Sequence, residues 1–258
     1  MRTALRIGTL LFSATTLIGV SAQNYFGVVS PDLGSGRVDV IDINTGAVSN
    51  STTALLNGAA FDGFTGIARD PITGTVYVTV KDGQVIKLAQ LNTQTQALTL
   101  IATLTEKIAS ITHANGQLYG ISGDGGNDPE RLYIINTTTG ALSNVIAPGT
   151  GSDGEAIAFN TSDGLIYRYG GGSVFQSINP ANLNVVNIGL SYTPDNYAHG
   201  MVYEAATNTF LFSAGDSLYT LSTSGGLTLR ASFNGSDSGY KGFLSTVFSS
   251  VEEVDEAA

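Results

Sequence analysis

An acidic loop and one later glutamate carry side chains that suit a metal ion. The oxygen-bearing residues of this set are Asp124, Asn127, Asp128, Glu130 and Glu155. Hard cations such as Ca²⁺ prefer several carboxylate or amide oxygens, so one interpretation is a Ca²⁺ site with Glu155, Asp124, Asn127 and Asp128 as ligands. The loop lacks the EF-hand spacing, and the alternative is a solvated turn in which Glu155 pairs with a lysine. No other cofactor is expected.

Two short motifs resemble catalytic signatures but lack the residues that such chemistry needs. The segment 215–218 spells Gly-Asp-Ser-Leu, yet no histidine follows it, so Ser217 would have no base to activate it. The segment 170–172 is Gly-Gly-Gly, but neither a lysine nor a helical pattern follows it, as a phosphate-binding loop requires. No catalytic residue is therefore assigned.

The composition excludes several classes of protein. Lys and Arg total 11 and Asp and Glu total 21, so the net charge is −10, and neither nucleic acid nor an anionic membrane is an expected partner. The chain has no cysteine, which excludes disulfides and thiolate metal sites. A hydrophobic share of 42% against 12% charged residues indicates a folded chain rather than a disordered one.

The elements that must position the candidate residues repeat along the chain. The segment 40–50, VIDINTGAVSN, resembles the segment 134–144, IINTTTGALSN, and three further copies begin near residues 85, 174 and 218. Two further segments precede the later copies. The nearer one is turn-like and ends in Tyr or a similar residue, for example 74–77, GTVY, and the farther one is a short run of small and apolar residues, for example 66–68, GIA. Four short strands in each period of about 42–48 residues are typical of a propeller blade.

The first period lacks its own innermost strand, and the segment 241–247 near the C-terminus supplies a match. The predicted fold is therefore all-β, a single β-propeller of five four-stranded blades, with the ring closed by the C-terminal strand pairing into the first blade. A ring of six blades is the alternative. The expected blades are 23–64 with 240–250, 65–108, 109–153, 154–198 and 199–239.

The two ends of the chain are expected to lie outside the propeller domain, 23–250. Residues 1–22 have two arginines, then an uncharged apolar run, then small residues before Gln23, which is the pattern of a signal peptide. Residues 251–258 form an acidic tail. We expect a secreted protein, extracellular or periplasmic, that is a monomer and does not bind membranes.

The best copy of the repeat, LYIINTTTGA at 132–141, resembles secreted propeller proteins of the broad lactonase-like and YVTN-repeat type. The resemblance covers nearly all of the chain after residue 22, and it implies the architecture alone. That broad family includes lactone hydrolases, which hold an ion on the propeller axis, as well as proteins that only bind. The resemblance therefore does not choose between an enzyme and a binding protein.

The start of each innermost strand faces one mouth of a propeller, where most propeller sites lie. The candidate ligand-binding residues there are Glu155, His199, Lys107, Lys241 and Tyr197. His199 is either a base near Glu155 or a hydrogen-bonded loop residue. His113 follows an innermost strand rather than preceding one, so the two histidines are expected at opposite ends of the axis.

Three hypotheses for function follow from this arrangement. The first is a secreted, non-enzymatic binding or scaffold propeller, whose ligand is a small molecule, a glycan or a protein. The second is a Ca²⁺-dependent lactonase-like or esterase-like hydrolase with the ion at the mouth. The third is a glycan-binding or glycan-cleaving propeller, in which Glu155 would pair with Asp153, Asp62 or Asp195. The sequence favours the first and leaves the other two open.

Overall fold

The computed structural model describes residues 23–34, 36–149, 155–194, 197–233 and 239–247, and of Glu155 the backbone only. These residues form twenty-one β-strands and one 3₁₀ helix, Pro31–Leu33. No described helix is long and apolar enough to cross a membrane. The expected signal peptide, 1–22, and the acidic tail, 251–258, lie outside the described residues.

The strands form five sheets, which are the blades of a β-propeller. Blade 1 contains β1 (Asn24–Val29), β2 (Arg37–Asp42), β3 (Val48–Thr53) and β21 (Tyr240–Ser245). Blade 2 contains β4 (Leu55–Leu56), β5 (Gly63–Arg69), β6 (Val76–Asp82), β7 (Val85–Leu91) and β8 (Ala97–Thr103). Blade 3 contains β9 (Ile108–Ala114), β10 (Gln117–Ser122), β11 (Leu132–Ile135) and β12 (Leu142–Ile146). Blade 4 contains β13 (Glu155–Asn160), β14 (Leu165–Gly170), β15 (Phe175–Ile178) and β16 (Val185–Asn187). Blade 5 contains β17 (Gly200–Glu204), β18 (Thr209–Ala214), β19 (Ser217–Ser222) and β20 (Leu227–Ser232).

The predicted ring closure is confirmed. The C-terminal strand β21 pairs antiparallel with β1, from Tyr25 opposite Ser245 to Val29 opposite Tyr240. The innermost strands β5, β9, β13, β17 and β21 each contact the next one around the ring, and β21 contacts β5. Five blades, not six, therefore complete the circle.

Strand β4 is an addition that the sequence analysis did not predict. It pairs parallel with β8, at the outer edge of blade 2. The segment that connects blade 1 to blade 2 runs along this open edge, and Asn57 holds the segment against β8. The Asn57 backbone N–H donates to Leu98 O at 3.0 Å, and its side-chain Oδ1 accepts from Leu100 N–H at 3.1 Å.

Small residues let the innermost strands approach each other around the axis. A Cβ atom added to Gly66 would lie 2.8 Å from the backbone nitrogen of Ile111 on the next blade. A Cβ atom added to Gly200 would lie 2.6 Å from the backbone nitrogen of Gly242. These distances are shorter than real Cβ contacts, so glycine is required by the close packing of neighbouring strands.

Hydroxyl side chains of one innermost strand accept hydrogen bonds from backbone N–H groups of the next. Ser110 Oγ accepts a hydrogen bond from the backbone N–H of Ile157 at 3.1 Å, and Thr112 Oγ1 accepts one from Phe159 at 3.0 Å. Both bonds cross from β9 to β13. A buried N–H without a partner is costly, and here the neighbouring blade supplies the acceptor.

The recurring turn of the sequence motif forms around one acidic or amide side chain in four blades. In each, the side-chain Oδ1 accepts the backbone N–H two residues later at 2.8 to 2.9 Å, and the four acceptors are Asp42, Asn92, Asn136 and Asn179. Gly46 and Gly140 then adopt φ values of +73° and +70°. That left-handed conformation explains why the motif ends in glycine in these two copies.

A buried carboxylate joins the C-terminal strand to blade 1. Asp39 is 1% exposed, and its Oδ2 accepts a hydrogen bond from the Tyr240 hydroxyl at 2.7 Å. Arg37 Nε donates to the same carboxylate at 3.1 Å, and Ser51 Oγ also donates to it. Burial and the neighbouring Asp39 charge raise the pKa of Tyr240, so its hydroxyl remains a donor at neutral pH.

Replacing Ser110 with alanine should destabilise the propeller, because the buried Ile157 N–H would lose its acceptor. The expected loss is about 1–3 kcal/mol in the free energy of unfolding, measured by urea denaturation. Ser143, an exposed residue of the outer strand β12, provides the matched control. Equal stability of S110A and S143A would contradict the role of the Ser110 hydroxyl.

Replacing Tyr240 with phenylalanine should weaken ring closure, because it removes a hydrogen bond to a buried carboxylate. The expected loss is about 1.5–3 kcal/mol, again measured by urea denaturation. Tyr133→Phe is the control, since the Tyr133 hydroxyl makes no hydrogen bond to any described residue. A Y240F protein as stable as Y133F would show that this bond does not hold the last strand.

Candidate functional site

The innermost strands all begin on one side of the ring and end on the other. We call the first side the entry face and the second the exit face. The candidate ligand residues predicted from the sequence were expected on the entry face. Lys107 directly precedes β9, and Lys241 is the second residue of β21, so the fold brings both to that side.

A cavity of about 360 Å³ lies on the entry face, and we call it the lysine cavity. Its charged lining residues are Asp32, Lys81, Lys107 and Lys241. The cavity lies over blades 1 to 3, because its remaining lining residues come from the turn after β1, from blade 2 and from blade 3. Lys107 and Lys241 thus line the same cavity, and their role in binding a ligand stays a prediction.

The position of each lysine follows from the element that carries it. Lys81 lies near the end of β6 and pairs with Gly63 at the start of β5. Because β6 runs antiparallel to β5, its end lies on the entry face. The chain has four lysines in all, and three of them line this one cavity. The fourth, Lys87, lies on the neighbouring hairpin and is paired with Asp82.

The lysine cavity is a positive region in an acidic protein. Neither Lys81 nor Lys107 forms a salt bridge with a described residue. Asp32, on the 3₁₀ helix, is the one acidic residue among the described lining residues. Like charges gathered this closely repel one another, and a bound anion would relieve that repulsion.

The acidic loop is held next to this cavity by a carboxylate that the sequence analysis did not single out. Glu106, 6% exposed, accepts backbone N–H groups from Lys107 at 2.8 Å, Asn127 at 2.7 Å and Asp128 at 2.9 Å. Gly125 of this loop lines the cavity beside Lys107. The loop is therefore folded around Glu106 and positioned by it.

The loop carboxylates face a guanidinium group. Glu130 forms an ion pair with Arg168, whose side chain is completely buried and also donates from Nη1 to Gln176 Oε1 at 2.7 Å. Burial lowers the pKa of Arg168 to about 10, and the nearby Asp124 carboxylate opposes that shift. The guanidinium is therefore charged at neutral pH.

A positive charge lies close to the predicted Ca²⁺ ligands. Arg168 pairs with Glu130 and would repel a cation bound beside Glu130 and Asp124. Within the described ranges, no group of three or more His, Asp or Glu side chains is placed to hold a metal. The side chain of Glu155 is outside the description, and its role as a ligand stays a prediction.

The remaining predicted residues lie in two different environments. His199 is fully buried, with ring centroids 4.6 Å from Tyr169 and 5.8 Å from Phe212, and it does not line the lysine cavity. Tyr197 is 40% exposed, and burial and the Asp32 carboxylate raise its pKa. Tyr197 therefore lies close to a residue of the cavity wall, whereas His199 packs within blades 4 and 5.

The paired carboxylates expected for glycan cleavage are not assembled by the described residues. Asp62 Oδ2 accepts the backbone N–H of Gly83 at 3.0 Å and braces the β6–β7 hairpin. Asp153 and Asp195 lie outside the described ranges.

Sequence reasoning missed Lys81 and Asp32. The signal for Lys81 was available in the β5–β6 hairpin, because antiparallel pairing returns the end of β6 to the start of β5. Asp32 follows β1 on a short 3₁₀ helix that has no counterpart in the described residues of the other repeats, so the repeat pattern could not place it.

Comparisons with known proteins support the fold and not an activity. No protein-family model matches the chain, and no curated protein matches it. A Bacteroides thetaiotaomicron protein of unknown function has a TM-score of 0.50 at 16% identity over 81% of this chain. This chain spans 50% of that protein's length.

A structure of a nidogen/laminin complex has a TM-score of 0.52 at 10% identity, covering 77% of this chain and 73% of that one. A virginiamycin B lyase from Staphylococcus aureus has a TM-score of 0.47 at 13% identity over 81% of this chain and 70% of that one, and no argument rests on it. At these identities the likeness shows the fold alone. The chain is a β-propeller repeat protein.

Replacing Glu106 with alanine should release the loop 123–130, because three backbone N–H groups would lose one shared acceptor. We expect faster amide hydrogen exchange at Asn127 and Asp128, measured by mass spectrometry, with little change in the outer strands. Asp128→Ala is the matched control, since it makes the same change in charge on the exposed side of the loop. Equal exchange in E106A and D128A would contradict the anchoring role.

Proposed function

We propose that this protein is a secreted, non-enzymatic binding propeller whose ligand carries an anionic group that binds in the lysine cavity. The observation that carries the proposal is the gathering of three of the four lysines around one cavity, in a chain with 21 acidic residues. Folding alone gives no reason for this placement, because the three residues lie on three different blades and their charges repel.

The chemistry of the cavity favours a small ligand with a carboxylate or phosphate group. Lysine binds such groups as a point charge with three N–H donors, and Lys81 and Lys107 have no described acidic partner. The volume of about 360 Å³ lies within the range of small-molecule sites. The negative charge of the rest of the chain would repel long polyanions and leave compact anions as the favoured ligands.

Secretion belongs to the proposal and rests on the sequence of residues 1–22. The basic start, the uncharged apolar run and the small residues before Gln23 support cleavage after Ala22. Mass determination of the protein recovered outside the producing cell would give the mature N-terminus.

A second candidate is a glycan-binding propeller, and the exposed tyrosines favour it. Tyr197 is 40% exposed beside Asp32, and Tyr192 is 43% exposed. Aromatic faces beside carboxylates suit sugar rings. An acidic sugar would satisfy both candidates, whereas a neutral sugar would satisfy the glycan candidate only. The Ca²⁺-dependent hydrolase has less support, because the positive charge of Arg168 is paired with Glu130 of the acidic loop and would repel a cation there.

The proposal is tested by calorimetric titration of the protein with citrate, D-galacturonate and D-galactose. Lys81→Met and Lys107→Met should each weaken citrate or galacturonate binding about tenfold, since each removes a charged hydrogen-bond donor. Lys87→Met is the matched control, with the same change in charge outside the cavity, and it should bind like the wild type. Raising the salt concentration should weaken the wild-type interaction.

Two results would overturn the anion-binding proposal. One is the absence of binding by either anion at millimolar concentration, and the other is equal loss of affinity in all three lysine variants. Galactose binding that survives Lys81→Met and Lys107→Met would establish the glycan candidate instead.

A further inference from the structure

A second cavity lies on the exit face, on the axis of the propeller. Its volume is about 300 Å³, and all five innermost strands contribute to its wall. One residue from each strand illustrates this: Ile67, Ile111, Ile157, Met201 and Leu244. These residues follow the close approach of β5 to β9 at Gly66, which directly precedes Ile67.

The wall of this axial cavity is mainly apolar. The five residues just named are between 1% and 7% exposed, and Phe243 and Ala158 also line the cavity. The cavity opens to solvent at the exit face, so part of this apolar wall is in contact with water. A small hydrophobic molecule bound there would remove that surface from water, which is favourable.

One buried polar atom of the described wall residues lacks a hydrogen-bond partner. The side chain of His113 is 5% exposed, and its Nδ1 makes no hydrogen bond within the described structure. Buried polar atoms are almost always hydrogen-bonded, so this one needs an explanation. Two other polar residues in the wall are already engaged, since Thr112 accepts from Phe159 and the Tyr203 hydroxyl donates to Asn208 Oδ1 at 2.9 Å.

The surroundings of His113 indicate which kind of partner fits. Its Nε2 lies 3.9 Å from the Asp70 carboxylate, which favours the proton on Nε2 and leaves Nδ1 as an acceptor. Burial lowers the pKa of His113, and Asp70 opposes the shift. The imidazole is therefore neutral at pH 7, and its free lone pair accepts a hydrogen bond from a hydroxyl group.

We propose that the axial cavity is a binding site for a small, mainly apolar molecule with one hydroxyl group, such as a phenol or a short alcohol. The apolar body would pack against the ends of the innermost strands, and the hydroxyl would donate to His113 Nδ1. This site is separate from the lysine cavity. Thr65 lines the lysine cavity and Arg69 lines the axial cavity, and they are about 13 Å apart along β5.

The first test compares two probes of nearly equal size, 4-fluorophenol and fluorobenzene, by ¹⁹F NMR with the whole protein. The hydroxyl compound should bind at least about fivefold more tightly, since it alone supplies the missing hydrogen bond. Weak or undetectable binding of both probes up to their solubility limits would overturn the proposal, and so would equal affinity.

The two histidines of the chain provide an internal control. Addition of 4-fluorophenol should shift the Nδ1 resonance of His113 in a long-range ¹H–¹⁵N spectrum and leave His199 unchanged. His199 is buried among aromatic side chains of blades 4 and 5 and does not line the axial cavity. A shift at His199 alone, or at neither histidine, would contradict the proposed site.

A pair of variants separates this proposal from the proposed function. His113→Phe should abolish the preference for 4-fluorophenol over fluorobenzene, whereas Lys81→Met should leave that preference intact. If His113→Phe does not fold, the wild-type spectra still decide the question. Retention of the full preference in a folded H113F protein would overturn the assignment of His113 as the acceptor.

Discussion

The close packing of five innermost strands around one axis is the constraint on which the rest of the structure depends. The backbone of Gly66 lies so near Ile111 that no side chain fits between them. Strands this close leave backbone N–H groups facing the next blade, and the hydroxyls of Ser110 and Thr112 accept them. Because blade 3 satisfies these groups of blade 4, a ring without blade 3 would leave them unpaired and would expose an apolar face.

The repeat pattern predicted this architecture well because the pattern and the packing have the same cause. The turn motif recurs since Asp42 and Asn136 each fold the backbone in the same way, and the small residues recur since each innermost strand meets the same crowding. The match between the segment 241–247 and the other innermost strands was enough to predict ring closure. Strand β4 was missed, because it follows from the path between two blades and not from the repeat.

The candidate sites were harder to predict, because they depend on residues that depart from the repeat. Lys107 and Lys241 were proposed from their position before or within an innermost strand, and both line the lysine cavity. Lys81 lies on the second strand from the axis in blade 2 and Asp32 on a 3₁₀ helix, so neither residue lies at the start of an innermost strand. The acidic loop has the composition of a cation site, yet Arg168, distant in sequence and fully buried, pairs with one of its carboxylates, Glu130. Composition alone cannot show which opposite charge faces a loop.

The pairing of β21 with β1 also has a consequence for how the chain folds. Four blades consist of consecutive strands and can form as soon as their own residues are available, whereas blade 1 must wait for the last strand of the domain. The contact between Tyr240 and Asp39 is therefore among the most distant in sequence and the latest to form. For a chain that is made or translocated from its N-terminus, blade 1 stays incomplete until the end. The first blade to emerge is then the last to fold, and its exposed edge is where aggregation would begin.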